Sequence, residues 1–208
     1  MDKKTALVVI DMQYIHVEPD KSVSGEDMSK EAKAYVRERM YGTQLPAVAK
    51  LLDAWRKAGG LVIHIVFNHV APDGSDLDPN IYATFKKKSD DPKTWPIRTA
   101  ADPLSAEMRE VTPSPGEVVL QKTTYSAFKS TNLDFVLKNH GIDSLLLVGG
   151  LTGCCVMQTA IDGKALGYGI YTVPDADIDR SPEGHEQALK TPGYDAVLTL
   201  DQAMDMSG

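Results

Sequence analysis

The sequence predicts a doubly wound α/β fold, a six-stranded, mostly parallel sheet with helices on both faces. Three observations carry that expectation. Six short runs are apolar with little polar alternation, as strands buried on both faces are. Longer segments with helical start and stop marks stand between them. Strand and helix alternate through the chain with no internal repeat and no linker, so residues 1–208 read as one domain.

Taken in order, the first strand is Ala6–Ile10, entered from Met1-Asp2-Lys3-Lys4-Thr5, with too short an apolar run for a signal segment. Met28 to Lys57 is helical, with a break near Tyr41-Gly42 and a glycine stop at Gly59-Gly60. The second strand is Leu61–Phe67. His69 to Lys93 is polar and contains Pro72, Gly74 and Pro79, so it is expected to be a long surface excursion. Its portion 73–93 is a candidate lid, closing on the site or against a neighbouring subunit. Val118–Leu120 makes a very short third strand. Leu133, Val136 and Leu137 form a helical stripe between Asn132 and Gly141. The fourth strand, Ser144–Val148, leads into a helix from Gly153 to Leu166 that closes at Gly167. Ile170–Val173 is the fifth strand, Glu183–Leu189 a short helix and Ala196–Leu200 the last strand.

Lys and Arg number 22 against 29 Asp and Glu, a net charge of −7, which gives no support to a nucleic-acid-binding surface. No apolar run approaches the roughly 18 residues of a membrane span. The two cysteines, Cys154 and Cys155, are adjacent and offer no disulfide framework. A soluble, cytoplasmic protein is expected.

In doubly wound folds ligands sit beyond the carboxyl ends of the strands. The polar residues at those ends are Asp11, His69, Lys122, Cys155 and Asp175. Cys155 follows a strand, two glycines and a helix start, where unpaired backbone N–H groups stabilise a thiolate. A random cysteine is more often a small buried hydrophobe. Asp11 alone reads as a turn residue and Lys122 alone as a surface lysine. Together, an acid, a cation and a thiol at three strand ends of one sheet form a nucleophilic set. Gly149, Gly150 and Gly153, followed 22 residues later by Asp175, suggest a dinucleotide loop, but that pattern needs glycine at Val148. The five histidines, His16, His64, His69, His140 and His185, form no close ligand set, so no metal is expected.

These residues resemble the isochorismatase-like cysteine hydrolase superfamily. The resemblance lies in Val8-Val9-Ile10-Asp11-Met12-Gln13, in Lys122-Thr123-Thr124-Tyr125-Ser126-Ala127-Phe128, and in Gly150-Leu151-Thr152-Gly153-Cys154-Cys155-Val156 continuing through Thr159-Ala160-Ile161-Asp162 to Gly167-Tyr168; Pro174-Asp175-Ala176 matches the following strand end. It implies Cys155 as nucleophile, Asp11 as general base and Lys122 as third member of a triad, with Cys154 a spectator. It also implies a cis peptide at Gly150–Leu151, the backbone N–H groups of Leu151 and Cys155 as an oxyanion hole, no cofactor, and a homo-oligomer. Tyr14, His69, Trp95 and Tyr125 are candidate pocket residues for a small-molecule substrate. The sequence departs from the family where Ile15-His16 replaces its usual Asp-Phe pair, and where Asn68-His69-Val70 lacks the metal-binding pattern of the nicotinamidase branch.

The implied reaction is hydrolysis of a small amide, ureido or carbamoyl C–N bond through a thioester. One alternative is a vinyl-ether hydrolase of the isochorismatase type, with Cys155 a bystander. Others are a non-catalytic binding protein that kept the fold, and a redox pair formed by Cys154 and Cys155.

Overall fold

The computed structural model describes residues 4–17 and 28–207, so Met1–Lys3 of the lead-in lie outside the described residues. Six strands form one sheet: β1 (Thr5–Ile10), β2 (Val62–Phe67), β3 (Val118–Lys122), β4 (Ser144–Gly150), β5 (Gly169–Ile178) and β6 (Ala196–Val197). Their order is β3-β2-β1-β4-β5-β6, and every pairing is parallel. β1 and β4 are buried at every residue, which is why each reads as an unbroken apolar run.

Helix α1 (Lys30–Arg39) starts at Ser29, whose hydroxyl accepts from the Ala32 N–H. The break expected near Tyr41-Gly42 is a π-helical turn, Met40–Gln44, that carries the chain straight into α2 (Leu45–Ala58). Gly59 ends α2 in the left-handed conformation. Val48, Leu51, Leu52 and Trp55 of α2 cover one face of the sheet, against Leu7, Val9, Leu146 and Val148.

Between β2 and β3 the structure differs from the expected polar excursion. Residues 79–88 form α3 (Pro79–Lys88), with the Asp78 carboxylate capping the N–H groups of Asn80 and Ile81 and Pro79 in the first turn. Lys86, Lys87 and Lys88 mask an apolar stripe of Ile81, Tyr82 and Phe85 that packs into the core around Trp95. The second sheet face, including Val8, Ile10, Leu145 and Leu147, is covered by Leu133 and Leu137 of α4 (Leu133–Asn139) and Ala160 of α5 (Met157–Ala165).

β5 runs beyond the expected end at Val173. A register shift pairs Leu147 with Thr172 but Gly149 with Asp177, so the strand absorbs Pro174 as an irregularity and continues to Ile178. Then come α6 (Pro182–Ala188) and β6, which stops at Val197. Leu200, expected to close that strand, instead opens α7 (Leu200–Met204), because Thr199 and Gln202 form a capping box. Since β2 lies on one side of β1 and β4 on the other, the chain leaves these strands in different directions. A crevice opens at their carboxyl ends.

Candidate active site

Asp11 follows β1 in a left-handed conformation (φ 53°), which aspartate enters more readily than most residues. Its N–H donates to the Ile65 carbonyl (2.9 Å), and its side chain is buried. Gln13 locks the ends of β1 and β2 together. Its Nε2 donates to Asn68 Oδ1 (2.8 Å) and to the Ser105 carbonyl (2.7 Å), while its Oε1 accepts from the Phe67 N–H (2.7 Å).

Lys122, the last residue of β3, is completely buried. Its three ammonium protons have three acceptors: Asp11 Oδ2 (2.8 Å), the Thr124 carbonyl (3.1 Å) and Cys155 Sγ (3.2 Å). The Phe67 ring centroid lies 3.6 Å from Nζ. Burial works against the charge, but Asp11 and Cys155 outweigh it and raise the Lys122 pKa.

The thiol arrives from β4. Gly149 sits at φ 130°, and a Cβ there would stand 2.1 Å from the Ile10 carbonyl oxygen, so only glycine lets β4 approach β1 this closely. The Gly150–Leu151 peptide is cis. A π-helical turn, Thr152–Val156, then feeds α5 and places Cys155 buried beside Lys122, with Cys154 half-buried. The Cys154 side chain, burial and the Asp11 charge push the Cys155 thiol well up, against the pull of Lys122. The same contact takes the Cys154 thiol down. The thiol lies near Asp11, whose buried Oδ1 has no hydrogen-bond partner among the described residues.

A cavity of about 260 Å³ opens on this cluster, lined by Asp11, Gly150, Leu151 and Cys155. Phe67, Phe85 and Ile97 form apolar wall, and His16, Tyr125 and Arg180 add polar groups. The 73–93 segment, through Phe85, is thus a wall of the cavity. Tyr125 stands where the sequence places it, half-exposed and edge-on to Phe67. Tyr14, His69 and Trp95 are not on the described lining. His69 pairs with Thr99 through the backbone, and its Nδ1 donates to the Ala71 carbonyl (2.7 Å), which turns the ring toward Trp95. Trp95 is core, its Nε1 donating to the Ser89 carbonyl (3.0 Å) and its ring packed by Tyr82 and Phe85. Tyr14 packs on the opposite sheet face.

The sequence reading missed His16, Phe85, Ile97 and Arg180 as lining. His16 Nε2 donates to the Phe67 carbonyl (3.2 Å), and burial, helped by Lys122 and opposed by Asp11, lowers its pKa. Arg180 lies two residues past the end of β5. It was hidden by ending that strand at Val173, which put Asp175 in its place, whereas Asp175 is an exposed residue within β5. Among the described residues no three His, Cys, Asp or Glu side chains are grouped to hold a metal ion, and no helix is long and apolar enough to cross a membrane.

Comparison with known proteins adds to this geometry. The family model described as Isochorismatase domain matches residues 5–199. The chain is 30% identical over 194 residues to the ureidoacrylate amidohydrolase of Caulobacter segnis, covering 89% of this chain and 77% of that protein. It is 31% identical over 158 residues to the maleamate amidohydrolase of Pseudomonas putida, covering 75% and 70%. The crystal structure of N-carbamoylsarcosine amidase from Thermoplasma acidophilum superposes with a TM-score of 0.68 at 29% identity, over 95% of this chain and 97% of that one.

Proposed function

The chain belongs to the isochorismatase family, and from that premise we propose that it is an amidase-type cysteine hydrolase, cleaving the C–N bond of a small amide, ureido or carbamoyl compound through a thioester. The observation that carries this reading is the buried cluster of Asp11, Lys122 and Cys155 on a cavity wall, with Asp11 Oδ1 unpartnered among the described residues. The names of the relatives, amidohydrolases of ureidoacrylate and maleamate and an amidase of N-carbamoylsarcosine, point the same way.

Asp11 takes the Cys155 proton as the substrate carbonyl arrives, and the thiolate, held by Lys122, attacks the carbonyl carbon. The developing oxyanion is received by the backbone N–H groups of Leu151 and Cys155, a donor of this kind being worth about 10²–10³ in rate. Asp11 then passes the proton to the leaving amine or ammonia, and water hydrolyses the thioester to restore the thiol. Arg180 brings the cavity lining a guanidinium, which favours an amide that also carries a carboxylate.

Intact mass spectrometry after brief exposure to a panel of small amides, ureas and carbamoyl compounds tests the reading. The native protein is expected to gain an acyl mass that Cys155→Ala does not. In the same panel Arg180→Met should raise KM about tenfold for carboxylate-bearing members, the lower end for a lost charge-assisted hydrogen bond, and leave neutral ones unchanged. Full turnover by Cys155→Ala would replace this reading with a thiol-independent hydrolase.

A further inference from the structure

β5 carries a fully buried carboxyl group, Asp177, that no step above uses. Its Oδ1 accepts from the Gly149 N–H (2.9 Å), and its Oδ2 lies 2.5 Å from Thr172 Oγ1. Thr172 Oγ1 also lies 2.9 Å from the Leu147 carbonyl oxygen. A hydroxyl has one proton to give, and a carbonyl oxygen can only accept. The one proton of Thr172 cannot serve Asp177 and Leu147 alike, and a proton on the carboxyl would satisfy both contacts, Thr172 then donating to Leu147 and Asp177 to Thr172.

The surroundings agree with a neutral acid. Arg39 directs its guanidinium past the carboxyl, to the Pro174 carbonyl (2.5 Å), the main-chain carbonyl of Asp177 (3.2 Å) and His185 Nε2 (2.9 Å). The charged and titratable groups that interact with Asp177 are Arg39, Asp179 and Tyr194, and Arg39 in turn meets His185. Burial dominates over the Gly149 N–H and the pull of Arg39, and the pKa rises to about 8.

We propose that Asp177 is a positioning residue that works as a neutral carboxylic acid, donating to Thr172 and accepting from Gly149, and so fixes the end of β4 from which Leu151 and Cys155 follow. The proposal rests on the amidase reading only in taking Cys155 as the group to be held. Ionisation would leave one hydroxyl proton between two acceptors and a buried charge behind the nucleophile turn, loosening Gly149.

The unfolded chain gives up this proton near the ordinary carboxyl pKa of about 3.9, the folded chain near 8. The stability it contributes is therefore fully present below about 4 and is lost as pH rises to about 8. Asp177→Asn tests the idea, since its amide N–H replaces the acid O–H and cannot ionise. In ¹⁵N–¹H spectra of the parent the amide peaks of Gly149, Leu151 and Cys155 should move together with a midpoint near pH 8, a transition absent from Asp177→Asn. At pH 6.5 the Asn spectrum should overlay the parent, with Asp177→Ala perturbed throughout. The melting temperature of the parent should fall relative to Asp177→Asn as pH rises from about 5 to about 8 and level off above that. A Gly149 titration that leaves Leu151 and Cys155 still, a parent-to-Asn melting difference that is flat with pH, or an Asn variant as disturbed as Ala would each overturn it. Neither measurement uses an amide substrate, so the amidase reading can fail without deciding this one.

Discussion

Lys122 shows how much one side chain can hold in place. An ammonium removed from water is tolerated when every proton has an acceptor, and here the acceptors are the proposed base, the proposed nucleophile and a carbonyl of the next loop. Lys122→Met keeps the volume and strips Asp11 of its ion-pair partner, leaving a buried lone carboxylate. That should cost about 3–5 kcal/mol, read as a lower urea midpoint, and abolish turnover. Adding Asp11→Asn removes the stranded charge, so the double variant should regain part of the stability while staying inactive. No recovery would mean that the pair is not the source of the loss. Asp11, Lys122 and Cys155 stood out only as a set, polar groups at or just past three strand ends of one sheet, and their roles came from the family resemblance; the structure puts Lys122 against both of the others. His16 and Arg180 were not legible. The first stands in a one-turn helix with no periodicity of its own, and the second depends on knowing where β5 ends.

At the scale of elements, β1 and β4 were readable nearly to the residue because burial on both faces leaves no polar position to blur them. β5 was read short because Pro174 ordinarily ends a strand, and only pairing with β4 shows that the chain resumes at Asp177. α3 was hidden by composition, although Asp78-Pro79 is a helix-start signal that periodicity around Ile81, Tyr82 and Phe85 would have supported. That helix matters to the cavity because it carries Phe85. Asp78→Ala removes the cap and should cost about 1 kcal/mol. Amide hydrogen exchange should speed up in α3 and leave β1 and β4 protected. Protection lost equally across the sheet would mean that α3 does not open as a local unit.

Across the molecule, buried titratable groups set how stability follows pH. Arg39 Nη2 faces His185 Nε2 (2.9 Å), and His185 Nδ1 lies 2.8 Å from Thr152 Oγ1, which also donates to the Ile178 carbonyl (2.9 Å). That order of protons requires a neutral imidazole, and burial together with Arg39 lowers the His185 pKa to about 4. The unfolded chain takes up this proton at about 6.5, so its contribution is whole above 6.5 and is lost as pH falls to about 4. In melting curves the native protein should lose ground to His185→Gln over that window and not above it; a difference constant with pH would refute the assignment. The topology has another consequence, which concerns the order of assembly. Asp11 and Lys122 are made long before Cys155, yet β1 and β4 pair directly, Val9 against Val148 and Ile10 against Gly149. Synthesis through β3 yields a chain that owns the carboxylate and the ammonium while one edge of β1 still lacks its neighbour. Contacts this far apart in sequence form slowly and leave an apolar edge open while the ribosome finishes. The chemistry thus cannot appear in stages: the thiol meets its partners only when the middle of the sheet closes, and activity would report that closure.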